Sequence, residues 1–418
     1  MRIALVCHVF PSTSQPFVRN EAAGLLARGH DVELFAMEQG GAAELTPDVQ
    51  QHRLMERVRY RLPLSKRRPL SMMRFSAAFL RAWLRTPGIQ RMLRPPPYRG
   101  YPGVLPSLAL ALAIARRPPF DVVHCHFGTN GLILWRMRQA GLLPAPLVCT
   151  FHGDDATVTP RELGADCYRE LLHACEACTA GSEFLCGQLR TLGAPATRVH
   201  CLPLGVDLEH FAFVPRQGPQ GDTLRLLSVG RLVEGKGLAY GLQAAAILKA
   251  RGLRLHYEIV GDGPLADELA RLAAELNLQA EVHFAGRLPH HELPEHYAQA
   301  DLLLHPAVPD SRGSQEAQGL VLLEAQACGL PVISTRVGGI PESVAPAAAD
   351  LLAPPADAQA LAECVSRLLA QPACWADISH AGRRYVCERF DVQQYLSRLE
   401  HLLAGVCLSS AARPSMRG

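Results

Sequence analysis

Apolar positions along this chain come in two kinds of run. Short continuous runs bounded by polar or glycine residues read as buried strands: Ile3–Cys7, Asp31–Ala36, Asp121–Cys125, Leu147–Thr150 and Val199–Leu202. Between them lie longer stretches with helical spacing, such as Phe17–Arg28. The same alternation restarts at Leu224–Val229 and continues through helix Leu238–Arg251, strand Leu255–Val260, helix Leu265–Leu276, strands Val282–Phe284 and Leu302–His305, helix Leu320–Cys328 and strand Val332–Thr335. Strands that alternate with helices predict parallel sheets covered on both faces. Gly40 to Pro118 reads as irregular with helical pieces, broken by Pro95-Pro96-Pro97. Pro215 to Gly221, rich in Pro, Gly and Gln, reads as an exposed linker. The chain is thus expected to hold two doubly wound α/β domains, residues 1–214 and 222–390, facing each other across a cleft. A C-terminal helix at 391–408 is expected to return to the first domain, and 409–418 reads as a tail. In such sheets ligands bind beyond the carboxyl ends of the strands, so chemistry is sought just after each strand.

With 418 residues, 48% hydrophobic and 19% charged, the composition suits a two-domain globular protein. A net charge of +3 does not describe a nucleic-acid binder. The charge is uneven, however. Fifteen Lys or Arg and one acid, Glu56, lie between Gln51 and Phe120, interleaved with apolar and aromatic residues. That pattern suits peripheral contact with an anionic membrane, and equally a solvated Arg-rich face. No run is long enough to span a bilayer, and no signal peptide is visible. Thirteen cysteines without a regular framework fit buried thiols in a reducing, cytoplasmic compartment. Cys175-x-x-Cys178, placed late in a helical stretch, is read as packing.

Three post-strand segments of the second half carry candidate chemistry. Gly230-Arg231-Leu232-Val233-Glu234-Gly235-Lys236-Gly237 sets two cations in a glycine-rich turn before a helix, where a diphosphate could be gripped by side chains and by backbone N–H groups. Gly261-Asp262-Gly263-Pro264 is a tight turn open to ligand approach, or a plain strand-to-helix connection. Glu316 precedes, and Glu324 lies within, the apolar helix that starts after Gly319. A helical separation of eight residues spans about 12 Å, suited to hydroxyls at the two ends of a sugar nucleotide. An acid inside Leu-Val-Leu-Leu-Glu-Ala requires a partner. In the first half, Thr150-Phe151-His152-Gly153-Asp154-Asp155 and His124-Cys125-His126-Phe127-Gly128 follow strands. No third ligand accompanies His124 and His126 at a metal spacing, so packing and loop shaping are expected.

Glu-x7-Glu followed by Ala-Cys-Gly-x-Pro-Val-Ile-x-Thr-x-x-Gly-Gly-Ile-Pro-Glu resembles the donor-site signature of retaining glycosyltransferase family four, with its GT-B fold. The other segments stand in order at that family's spacing, and the start His8-Val9-Phe10-Pro11-Ser12-Thr13-Ser14-Gln15-Pro16-Phe17 resembles bacterial exopolysaccharide transferases of the colanic-acid and amylovoran type. The resemblance implies that Arg231 and Lys236 bind diphosphate, Glu324 the ribose hydroxyls and Glu316 the donor sugar. Gly261 and the backbone of Gly319 and Leu320 would line the phosphates and sugar, and Arg287 would sit beside the base. His152 would act near the bond that breaks, with Ser14 and Asp155 on the acceptor side. Gln15 stands where those transferases often have Glu. The implied activity is metal-independent, with no cofactor beyond the nucleotide-sugar co-substrate. A lipid-linked or other glycan acceptor is implied, at the inner face of the membrane. A nucleotide-sugar epimerase, a sugar phosphorylase and a non-catalytic assembly subunit of this fold are the competing readings. A nicotinamide dehydrogenase is disfavoured by the missing glycine fingerprint.

Overall fold

The computed structural model describes residues 1–12, 15–41, 49, 52–60, 80, 88–93, 104–219 and 221–411. The chain divides into two compact units. Met1–Gly181, Leu185–Leu202 and the residues from Leu396 onward form the first; Ser182–Phe184 and Pro203–Tyr395 form the second.

The first unit carries strands β1 (Arg2–Phe10), β2 (Asp31–Gln39), β3 (Val58–Tyr60), β4 (Val122–His126), β5 (Leu147–Phe151), β6 (Ala177–Ala180) and β7 (Val199–Cys201). They form one parallel sheet in the order β3-β2-β1-β4-β5-β6-β7. The second unit carries β8 (Thr223–Val229), β9 (Arg254–Val260), β10 (Val282–Gly286), β11 (Leu302–His305), β12 (Val332–Thr335) and β13 (Leu352–Ala353), ordered β10-β9-β8-β11-β12-β13, again parallel. The strand order reverses between β1 and β4 and between β8 and β11. Those switch points are where a doubly wound sheet opens a crevice. β4, β5, β11 and β12 are buried along their whole length, which is why they read as strand-like runs; β6 is buried as completely but does not read as one.

The helices that matter here are α1 (Pro16–Ala27), α2 (Gly128–Gln139), α3 (Asp154–Thr157), α4 (Leu238–Ala250), α5 (Leu320–Ala327) and α6 (Val392–Ala411). On α6, Leu396, Leu399, Leu403 and Val406 recur at helical spacing and are buried. Its Glu400 takes hydrogen bonds from Arg28 (3.1 Å) and pairs with His30 (2.9 Å), both just after α1. The helix runs through Ala411, three residues into the expected tail.

Three sequence expectations change. The linker Pro215–Gly221 is not exposed throughout: the Arg216 side chain is buried, and its guanidinium donates to the carbonyls of Tyr297 (2.9 Å) and Ala298 (3.1 Å). The second unit also begins earlier than 222. Val206 N–H donates to Phe390 O (2.7 Å) and Val214 N–H to Cys328 O (3.2 Å), so residues from Pro203 pack with the rest of the second unit. Cys178 lies in β6, not in a helix. Ala-Cys-Thr-Ala is too short to show a period, and its small residues fit a crowded sheet. Cys125 registers against Cys149, and Cys149 against Cys178, across β4, β5 and β6.

Most of the basic 51–120 stretch lies outside the described residues. Of its described cations, Arg117 forks Glu33 (2.7 Å to each oxygen) and Arg57 lies 3.5 Å from Asp31. Among the described residues, no helix is long and apolar enough to cross a membrane.

Candidate functional site

In the second unit, the turns after β8 and β9 interlock. Gly261 has φ +145°, and a Cβ there would stand 1.8 Å from the Gly230 carbonyl oxygen, so only glycine allows the approach. From the first of these turns come Arg231, exposed and with no ion-pair partner among the described residues, and Lys236, which precedes α4. The Lys236 ammonium pairs directly with Glu316 Oε2. His305, buried at the end of β11, places Nε2 3.4 Å from the same oxygen. Burial alone would raise the Glu316 pKa. The Lys236 charge and the His305 hydrogen bond outweigh it and hold the carboxyl well below the usual carboxylate range.

The backbone of Glu316 is fixed as firmly as its side chain. Gly338 (φ +54°) packs so closely that a Cβ would stand 2.1 Å from Glu316 O, and Gly339 N–H donates to that oxygen at 2.8 Å. Gln318 bonds both polar groups of the Leu204 backbone (3.0 and 2.9 Å). The chain then enters α5 through Gly319, so the first N–H groups of α5, beginning at Leu320, follow Glu316 within one turn.

Glu324 sits buried on α5, and it has the partners its apolar setting requires. His290 Nε2 lies 3.0 Å from Oε1, and Tyr297 Oη donates to Oε2 at 2.9 Å. Neither partner was anticipated from sequence; both come from the segment between β10 and β11. Burial first, then the Glu324 charge, pushes the Tyr297 hydroxyl well above its ordinary value, so it stays a donor. Arg287 follows β10 and is exposed. The second unit therefore brings Lys236, Glu316 and the start of α5 into one contiguous arrangement, with Glu324 farther along the same helix. Cations and helix N-termini suit a diphosphate; the carboxylates suit hydroxyl donors.

The first unit presents a different arrangement. His124 and His126, two apart on β4, share one face, and Glu21 of α1 meets them there. All three side chains are fully buried. His124 Nδ1 lies 2.6 Å from Glu21 Oε1, and its Nε2 lies 2.7 Å from Thr150 Oγ1. His126 Nε2 stands 3.5 Å from Glu21 Oε2, and its Nδ1 lies 3.0 Å from His152 Nε2. Sequence reasoning found no third companion for the two histidines. Glu21 is that companion, and its signal was an acid among Val18, Ala22 and Leu25 on the buried stripe of α1. The three groups could be taken for metal ligands. The 2.6 Å Nδ1–Oε1 contact is a direct hydrogen bond, shorter than the separation of about 3 Å between two ligands of a tetrahedral cation.

His152 is half-buried, stacked on Phe17 (4.3 Å between ring centres) and beside Phe127 (4.7 Å). Burial, and next the neighbouring His126, hold its pKa well below the ordinary imidazole value. Asp155 is buried beneath this turn. Its carboxylate accepts from His152 N–H (2.9 Å), Gly153 N–H (3.0 Å) and, at the start of α2, Gly128 N–H (2.9 Å). Asp155 thus ties together the loops after β4 and β5. Ser14 lies outside the described residues.

Comparison with known proteins identifies both units. The structure is similar to a solved structure of HepE from Anabaena in complex with UDP, at a TM-score of 0.70 and 17% identity, over 97% of this chain and 100% of that one. The shared fold is the two-domain GT-B class. Residues 12–205 match the family described as glycosyl transferase 4-like domain, and 212–385 match glycosyl transferases group 1. The chain is 30% identical to WcaL of Salmonella typhimurium, a glycosyltransferase named for colanic acid biosynthesis, over 87% of this chain and 89% of that protein. It is 29% identical to AmsK of Erwinia amylovora, an amylovoran biosynthesis glycosyltransferase, over 96% and 99%. The chain belongs to this glycosyltransferase family.

Proposed function

We propose that the protein transfers a hexosyl group from a nucleotide-diphosphate sugar to a hydroxyl acceptor, with retention at the anomeric carbon, in the assembly of an exopolysaccharide or another cell-surface glycan. One observation carries the reading. Lys236 and Glu316 are joined beside the start of α5, while Glu324 is held farther along α5 by His290 and Tyr297. Glu316, then the cation with the helix start, then Glu324 follow the order of sugar, diphosphate and ribose along a sugar nucleotide.

In this reading Arg231, Lys236 and the α5 N–H groups stabilise the leaving diphosphate, the task that a metal performs in other transferases, so no metal is required. Glu316 accepts from donor-sugar hydroxyls and keeps Lys236 oriented. Glu324 accepts from ribose, Gly261 leaves room for the phosphates, and Arg287 lies beside the base. His152 keeps the role that the resemblance implies, next to the reacting sugar, with Ser14 and Asp155 on the acceptor side. A diphosphate oxygen takes the acceptor proton on the face from which the leaving group departs. The names of WcaL and AmsK support a glycan acceptor of the exopolysaccharide type, and a lipid-linked acceptor would bring the enzyme to the inner face of the membrane.

Melting curves with UDP, GDP, ADP and their sugar conjugates, in EDTA, test the donor site, because a ligand that binds only the folded state raises Tm. A shift with one base supports the reading and names the donor class. No shift with any of them overturns it in favour of a non-catalytic subunit. Turnover of the sugar nucleotide to an isomer, without acceptor, would make the protein an epimerase. The anomeric configuration of the product, read by NMR, tests retention.

A further inference from the structure

The buried group of Glu21, His124, His126 and His152 has a consequence for which proton His152 carries. Glu21 is fully buried, and as a carboxylate it only accepts hydrogen bonds. Its Oε1 is committed to His124 Nδ1 at 2.6 Å. Its Oε2 faces His126 Nε2 at 3.5 Å, and that nitrogen has no other partner among the described residues. If Nε2 carried a lone pair, two acceptors would oppose each other in a dry interior, at a cost of about 1–3 kcal/mol. The carboxylate therefore favours the proton on His126 Nε2. His126 Nδ1 is then the acceptor, and the atom 3.0 Å away, His152 Nε2, must donate.

We propose that Glu21 is a positioning residue that, through His126, fixes the His152 imidazole in the tautomer protonated at Nε2, leaving Nδ1 as an acceptor. His152 would then receive a hydrogen bond from a hydroxyl of donor or acceptor and would not donate one. The ring is held for this by Phe17, stacked at 4.3 Å, and by its own N–H on Asp155 Oδ1. The titratable groups around it are Glu21 on α1, His124 and His126 on β4, and Asp155 on α3. Burial, with His126 and His124 adding to it, keeps His152 uncharged; Glu21 alone pulls the other way. The arrangement parallels the general rule that a second group sets which imidazole nitrogen is protonated. The part that His152 plays in transfer rests on the glycosyltransferase reading; the tautomer does not.

The test is the 15N spectrum of the full chain labelled at histidine, at pH 7.5, with His152 assigned by its loss in His152→Asn. The parent is expected to show His152 protonated at Nε2. In Glu21→Gln, the amide oxygen takes the His124 N–H and the amide nitrogen turns toward His126, which reverses the chain of donors. The ratio of the two His152 tautomers should move toward Nδ1–H by at least about tenfold. A parent protonated at Nδ1, or an unchanged ratio in Glu21→Gln, overturns the proposal. If Glu21→Gln does not fold, His126→Leu serves instead: it removes the acceptor, and the preference for Nε2–H should be lost. Sugar release from UDP-glucose and GDP-mannose by the parent is measured separately. An Nε2–H spectrum without any transfer would count against the functional reading and leave the tautomer standing.

Discussion

The two units handle buried acids in opposite ways. In the second, Glu316 is in direct contact with Lys236, a full positive charge, and Glu324 is hydrogen-bonded by His290 and Tyr297. In the first, the groups that offset the burial of Glu21 and keep it ionised are imidazoles, His124 and His126. A carboxylate paired with ammonium is a fixed pair over the whole physiological range. A carboxylate set among imidazoles stays coupled to proton positions that can change. Charge is therefore held by an ion pair in the second unit, while in the first a buried carboxylate bears on which imidazole nitrogens carry protons.

The sharpest way to break this comparison is to remove the fixed pair. Glu316→Gln should lower kcat by about 10²–10³-fold, the scale for loss of one electrostatic group in a preorganised site. Steady-state kinetics with the donor that shifts Tm would check it, and near-parent turnover would reject the donor-sugar role. Next in size, Glu324→Ala should weaken nucleotide binding by about 10- to 100-fold, since hydrogen bonds to a charged acceptor contribute roughly 1.5–3 kcal/mol. Calorimetry with the nucleotide diphosphate reads this, and equal affinity would remove Glu324 from the ribose.

The first unit is probed by pH. His126 and His152 have folded pKa values below the unfolded imidazole value, so the unfolded chain binds more protons as pH falls. The stability they allow is present above about pH 6.5 and is lost progressively below it. Glu316 and Glu21 have lowered carboxyl pKa values, so their contribution is present above about pH 4.5 and falls away only below that. Urea midpoints at pH 7.5, 6.5, 5.5, 4.5, 3.5 and 2.5 should therefore decline in two stages, the first below about pH 6.5 and the second below about pH 4.5. His152→Asn should flatten the first stage and leave the second. A parent with equal stability at pH 7.5 and 5.5 would contradict the neutral, buried state of these rings. The smallest effect is expected from Tyr297→Phe, which removes one donor to Glu324 and should cost about 1–2 kcal/mol by the same urea measurement, with donor affinity reduced less than in Glu324→Ala.

The architecture was legible because both sheets are parallel and covered. Their strands appear as apolar runs, and the strand ends mark where chemistry sits. Glu324 and Lys236 were legible because their signal is local, an acid inside Leu-Val-Leu-Leu and a cation in a glycine turn; Glu316, a loop acid, was marked by its place in the Glu-x7-Glu pattern. The partners were not. His290 and Tyr297 reach Glu324 from 34 and 27 residues earlier, and nothing in His290-His291-Glu292 singles out which histidine turns inward. Glu21 is 103 residues from His124. An amphipathic helix hides one misplaced acid unless its buried stripe is traced residue by residue. β6 escaped because Ala-Cys-Thr-Ala is only four residues long, with Thr179 its one branched side chain.

The register of Cys125, Cys149 and Cys178 across β4, β5 and β6 gives the protein an internal clock for its own opening. Burial raises the pKa of Cys125 and Cys149, and a hydrogen bond with Cys175, followed by burial, raises that of Cys178. An alkylating reagent needs the thiolate and a path to it, so these sulfurs react only when the central strands separate. Cys328 and Cys364 are buried in the other unit. Mass spectrometry of alkylated peptides would read the opening of each unit in one native molecule, with no label added to the chain.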